Sequence, residues 1–276
     1  MAVAMGCNRS DGKEGDLFSR ENLVAWCIVP FDAADRTPGE RAKMLNELGI
    51  SRMAYDYRDR HIPSFRKEIV VLETAGIELT AVWLWVDPRN EDLFSEANRQ
   101  IFQILEETGT RTDLWIGFPE GAFEEGPEEQ RLDAAVQAVR KILERAEKLG
   151  CTLSLYNHGG WYGDPENQVR IIEAIGSDQI GIVYNFHHGH HQTDRFGALL
   201  ERMMPYLNTI NLNGMKKEGP KILPLGEGNL ELEMMRTIRD AGYDGLIGII
   251  GHTEGKDIRP VLERNLEGLE QLRRQL

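Results

Sequence analysis

Between residues 22 and 276, short β-rich runs alternate eight times with longer segments of helical period. The runs cover 23–29, 52–57, 79–86, 113–118, 151–157, 180–185, 209–213 and 246–250. Eight βα units in one chain predict an α/β fold, a single (β/α)8 TIM barrel, with a doubly wound open sheet as the lesser alternative. The length agrees, because such barrels commonly use about 250 residues as one domain.

Local signals punctuate the series. The first helix opens with Thr37-Pro38-Gly39-Glu40, a capping residue, a first-turn proline and a glutamate able to close a capping box. Leu132, Val136, Val139, Leu143, Ala146 and Leu149 recur at spacings of three and four and give the fourth helix one apolar face. Leu262, Leu266, Leu269 and Leu272 do the same for the last. Gly49, Gly76, Gly109, Gly150, Gly176 and Gly242 each follow a helix and precede a strand, where a left-handed cap is wanted.

Composition narrows the function. No apolar run approaches the roughly 20 residues that span a bilayer. A formal charge of −13 opposes binding to nucleic acid, whose backbone is held by Lys and Arg. Cys7, Cys27 and Cys151 are too scattered for a disulfide framework. The start, MAVAMGCNRSDGKEGD, resembles the tail of a shortened lipoprotein signal, although Ala4 and Met5 fit a lipobox poorly and no basic region precedes them. Residues 1–21 are therefore read as a flexible N-terminal segment and 22–276 as the barrel. The protein is expected in the cytoplasm, or as an exported or periplasmic lipoprotein if Cys7 ends a signal.

In a barrel, strand parity assigns direction. Ser154, Tyr156 and His158 point inward if Leu153 and Leu155 face the helices. The same argument sends Val183, Asn185 and His187 inward, then Thr209, Asn211 and Asn213, then Gly248, Ile250 and His252. Each inward series grows more polar toward its C-terminal end, where barrel enzymes keep their active sites. Six of the seven histidines leave strands five, six and eight; only His61 lies elsewhere.

Ser154-Leu155-Tyr156-Asn157-His158 and Asn185-Phe186-His187-His188 resemble the Leu-Glu-Asn-His and Asp-x-x-His strand ends of the xylose-isomerase-like TIM barrels. That family includes sugar-phosphate isomerases and epimerases and an endonuclease for abasic DNA. Leu225-Gly226-Glu227-Gly228 and Gly242-Tyr243-Asp244-Gly245 add to the likeness. The resemblance implies one divalent ion on strands five to eight, but its ligand positions fall on Tyr156, Asn185, Asn211 and Ile250 (or Gly251), which cannot hold one firmly. The family's paired acid/base carboxylates are missing as well.

Two residues higher, His158, His187 and His252 would form a three-imidazole site for Zn, Mn, Fe or Co, with Asn213 beside it. The competing expectation is no cofactor at all, with the same histidines doing acid/base work. His158 or His252 would then be the base and His187 or His188 the acid partner. His188 falls where the family meets substrate. His190 and His191 read equally well as solvated loop residues.

Asn185, Asn211 and Asn213 are expected to donate to substrate oxygens, with Asn157, Trp161, Lys221 and Glu227 completing the substrate-binding candidates. Trp161, in a Gly-rich loop, is expected to stack on a sugar ring. Trp83 and Trp85 share one face of strand three and read as pocket wall or packing. Trp26 and Trp115 read as core, and Asp56 with Arg58 as an ion pair at the rim. Together these predict a carbohydrate-active isomerase, epimerase or lyase that abstracts a proton next to a carbonyl of a sugar or keto-sugar. The expected partner is a small-molecule carbohydrate, with no nucleic acid and no membrane span. The alternative is a sugar-binding protein or pseudoenzyme that has lost catalysis; an endonuclease is the weakest reading.

Overall fold

The computed structural model describes residues 16–90 and 92–276. The candidate signal around Cys7 lies outside the described residues. Packing starts before residue 22: Phe18 is buried, and Asp16 accepts a hydrogen bond of 2.9 Å from Arg273 Nε.

The sixteen principal elements are β1 (Leu23–Trp26), α1 (Pro38–Leu48), β2 (Arg52–Tyr55), α2 (Ile62–Thr74), β3 (Glu78–Trp85), α3 (Glu96–Thr108), β4 (Asp113–Gly117), α4 (Glu128–Leu149), β5 (Thr152–Tyr156), α5 (Pro165–Ile175), β6 (Ile180–Asn185), α6 (Phe196–Met203), β7 (Leu207–Leu212), α7 (Glu231–Asp240), β8 (Leu246–Ile250) and α8 (Ile258–Arg273). All strands are parallel, each pairs with the next, and β8 closes on β1 in a (β/α)8 barrel.

Local chemistry explains where the elements stop. Thr37 and Glu40 form the expected capping box at the start of α1, with Thr37 N–H donating to Glu40 Oε2 at 2.9 Å. Gly49 and Gly150 end α1 and α4 in the left-handed conformation, at φ 70° and 69°, which a side chain would penalise.

Two apolar clusters lie on the two faces of the sheet. Leu153, Leu155, Ile182, Tyr184, Ile210, Leu212, Ile247 and Ile249 pack outward against the helices. Trp26, Trp115, Tyr156, Val183 and Ile250 fill the barrel interior with Val24, Ala54 and Ala81. The parity read from the sequence therefore matches on strands five to eight. Trp26 and Trp115 are core, but the core of the barrel lumen, with ring centroids 4.9 Å apart in an edge contact. Arg41 on α1 and Glu68 on α2 form a buried ion pair, Nε to Oε1 2.9 Å, with side chains 4% and 0% exposed.

Candidate active site

β1 to β5 and β7 end earlier than the β-rich runs suggest, β6 and β8 end where expected, and the connections leaving the strands form the mouth of the barrel. β1 stops at Trp26 because Cys27 turns into the left-handed region, φ 57°, a strained conformation for a side-chain-bearing residue. β2 stops at Tyr55, leaving Asp56 and Arg58 in the connection to α2. The mouth holds a chamber of about 120 Å3 floored by Trp26, Trp83 and Tyr156. Asp56, His158, His187, His188 and His252 wall it, and Cys27, Phe31, Arg58 and Lys221 complete it.

The histidines are close neighbours. Ring centroids lie 3.9 Å apart for His187 and His188, 4.7 Å for His158 and His188, and 6.3 Å for His187 and His252. His252 stacks on Phe31 at 3.7 Å, and His187 Nε2 lies 3.5 Å from the Tyr156 hydroxyl. Burial disfavours their charged forms, and the Lys221 ammonium and neighbouring imidazoles add to it. His188 falls to about 2 and His252 to about 4, while His158 is lowered and His187 lies well below the ordinary value. At neutral pH the cluster is uncharged.

Asp56 behaves in the opposite sense. It is 2% exposed, neither oxygen has a well-formed hydrogen bond, and burial raises its carboxyl to about 7 against the partial opposition of the Arg58 charge. The expected rim ion pair is not formed: the Arg58 guanidinium lies over the Phe31 ring at 5.3 Å and donates to the Tyr57 carbonyl. Asp56 is the chamber residue that the sequence analysis read only as half of an ion pair. The signal was available in the parity of β2, since Ala54 faces the lumen and Asp56 lies two positions on.

The other expected residues separate. Asn157, Asn185 and Asn211 bond chiefly to one another. Asn157 Oδ1 accepts from both the backbone N–H and Nδ2 of Asn185, at 2.8 and 2.9 Å, and Asn211 Nδ2 donates to Asn185 Oδ1 at 2.6 Å. Gly248 makes room for this ladder, since a Cβ there would lie 1.6 Å from Asn211 Oδ1. Asn213 Nδ2 donates to the Gly214 carbonyl at 2.8 Å. These four asparagines brace strand ends and do not line the chamber.

Trp161 is turned away from the mouth. Its indole donates to Glu128 at 3.0 Å and packs on the outer core, so the expected stacking face is not presented to the chamber. Glu227 pairs with Arg264 at 3.0 Å, also outside. Lys221 does reach the chamber, on a loop held by His190, whose Nδ1 and Nε2 lie 2.9 and 3.0 Å from the carbonyls of Lys216 and Lys221. His191 is exposed.

The donor set does not fit a metal ion. The family's ligand positions carry a phenol, two amides committed to each other and an alkyl chain. The shifted three-imidazole site does not assemble either: among the described residues no three His, Cys, Asp or Glu side chains converge on one point. Rings packed against one another at tilts of 45° and 55° are not arranged as a tetrahedral ligand set requires.

Fold and mouth thus define a single-domain (β/α)8 barrel with a polar chamber at the C-terminal ends of its strands. The model of the xylose isomerase-like TIM barrel matches residues 32–274, and the chain belongs to that family. Among solved structures it is similar to apo 3-keto-D-glucoside 4-epimerase from E. coli, at 16% identity and TM-score 0.69 over 92% of this chain and 99% of that one. It is also similar to L-ribulose 3-epimerase, at 15% identity and TM-score 0.65 over 92% and 96%. A xylose isomerase-like barrel from Mycobacterium smegmatis in complex with magnesium matches at 17% identity and TM-score 0.57 over 91% and 96%. At these identities the likeness shows the fold alone. No curated protein matched the chain.

Proposed function

We propose that the protein is a carbohydrate isomerase or epimerase that moves a proton on the carbon next to a sugar carbonyl, with Asp56 as the base. The observation that carries this reading is the pairing of one unpartnered buried carboxyl near 7 with four neutral imidazoles in one chamber. A general base works best with a pKa near the working pH. Asp56 meets that condition, whereas His252 at about 4 and His188 at about 2 are weak bases. The base role expected of His158 or His252 therefore passes to Asp56.

The neutral histidines suit a different task. An uncharged imidazole donates one N–H to an oxygen that gains charge, as oxyanion stabilisers do. His187 and His158 each have a buried Nδ1 without a partner, and Arg58 and Lys221 add positive charge at the chamber edge. Asp56 takes the proton, the enediolate oxygen is stabilised by N–H groups and cations, and the protonated Asp56 gives that proton back to the enediolate, at the neighbouring carbon in an isomerase or at the other face of the same carbon, once the enediolate has turned, in an epimerase. Elimination begins with the same step, so a lyase outcome shares this machinery. Two structural relatives are named as sugar epimerases, which supports the substrate class.

The test is solvent deuterium incorporation, followed by NMR, into a panel of ketoses and 3-keto-glucosides in D2O. The expected result is exchange at the carbon beside the carbonyl, reduced at least about 100-fold in Asp56→Asn, the lower end of a general base's contribution. Binding of the panel with no exchange in the wild type would make the protein a sugar-binding barrel. Exchange at the wild-type rate in Asp56→Asn would place the base elsewhere.

A further inference from the structure

Beside the chamber lies a second, larger space that the proton-transfer reading does not use. Arg58, Trp83 and His158 line both, and beyond them lies a cavity of about 550 Å3. Its floor is the pair Trp83 and Trp85 on β3, with ring centroids 5.6 Å apart and planes inclined by 32°. Trp85 sets its edge against His158 at 4.9 Å, so the aromatic wall runs up to the first imidazole of the chamber. Asp59, Asp87 and Asn90 supply polar lining, and Ser95 and Asn98, tied to each other as the capping box of α3, complete the wall.

Size and exposure argue together. The chamber, at about 120 Å3, is smaller than the roughly 300 Å3 at which pockets for organic ligands begin. A ligand whose reacting carbon sits beside Asp56 therefore has to extend past the shared residues Arg58, Trp83 and His158 toward the larger cavity. Trp26 and Trp115 are 1% exposed and committed to packing, whereas Trp83 and Trp85 are only half-buried. Two adjoining half-buried indoles with polar groups opposite them suit a ring that is flat or has an apolar face.

We infer that this second cavity is a ring-binding subsite and that the substrate is a glycoside, a sugar carrying an aryl group or second sugar ring, rather than a free monosaccharide. The inference rests on the proposed chemistry in the chamber. The test is calorimetric titration of the full chain with methyl glycosides, phenyl glycosides and disaccharides of glucose, galactose and xylose. In at least one series a second ring is expected to tighten binding about tenfold over the methyl glycoside, near the upper end for an aromatic contact. Trp85→Ala is expected to cut that ratio below about twofold, and Trp85→Phe to keep part of it, as stacking requires.

Phenyl glycosides ahead of disaccharides assign an aryl group, and the reverse order assigns a second sugar. Equal affinities in every series, including no binding by any member, overturn the subsite, as does a ratio unchanged in Trp85→Ala. Deuterium exchange is read separately. A ring preference without exchange leaves the subsite standing and removes the enzymatic reading; exchange without a ring preference removes the subsite alone.

Discussion

Replacing Asp56 by Asn should stabilise the protein at neutral and alkaline pH while abolishing its chemistry. The carboxyl is displaced from 3.8 to about 7 by burial, so the folded state holds its proton where the unfolded state releases it. Stability falls with pH wherever the native state binds more protons, here between about pH 4 and pH 7, and the loss is constant above that. About three pH units at about 1.4 kcal/mol each correspond to about 4 kcal/mol, and relaxation around a variant amide lowers the realised gain to about 2–4 kcal/mol.

The histidines act in the opposite direction. With folded values below their unfolded ones, they raise stability as pH climbs from about 2–4 toward 6.5, so the comparison must be made between variant and wild type at each pH. Urea unfolding from pH 4.5 to 8.5 reports the difference, with equal slopes required of both proteins. The two stability curves should meet near pH 4 and diverge until about 7.5. Curves that stay parallel would refute the buried, unpaired state of Asp56 and the base assignment with it. Wild-type exchange should rise with pH, reach half its maximum near 7 and level off about one pH unit above, on the ionisation of the same group.

Three further outcomes are expected. Glu68→Ala leaves the Arg41 guanidinium buried without its partner and should cost about 3–5 kcal/mol in urea unfolding; a loss under about 1 kcal/mol would show the pair to be dispensable. His190→Ala removes the ring that holds the Lys216 and Lys221 carbonyls, so kcat/KM should fall about tenfold and proteolysis within 214–224 should quicken, with Tm moving only a few degrees. Exhaustive dialysis against EDTA should leave deuterium exchange unchanged, because among the described residues no His, Cys, Asp or Glu side chains make a chelating set; a tenfold loss restored by Mn2+ or Mg2+ would contradict that.

The legibility of the fold and of the site differed for physical reasons. Helical period, glycine stops and strand parity are properties of neighbouring residues, and they placed Tyr156, Val183 and Ile250 in the lumen and Leu155, Ile182 and Ile249 against the helices. Parity also carried His158, His187 and His252 to one mouth, although it said nothing about ring orientation, which stacking against Phe31, Trp85 and His188 decides. Asp56 and Arg58 read as an ion pair because they leave the same strand end two residues apart. The fold separates them, burying the carboxyl beside the lumen and laying the guanidinium over Phe31, a residue from the preceding connection. Asn157, Asn185 and Asn211 looked free to meet substrate because each strand was read alone, and only the alignment of β5 with β6 and of β6 with β7 turns them into one another's partners.

The sequence by itself determined the (β/α)8 architecture, the face of each strand and the end of the barrel that carries polar chemistry, since these depend on short-range periodicity and local capping. The tertiary structure alone decided which polar groups are buried without partners, which are tied to each other, and that Trp83 and Trp85 floor a second cavity while Trp161 turns away. Those outcomes depend on desolvation and on contacts between segments far apart in the chain, and neither is encoded in any short stretch of it.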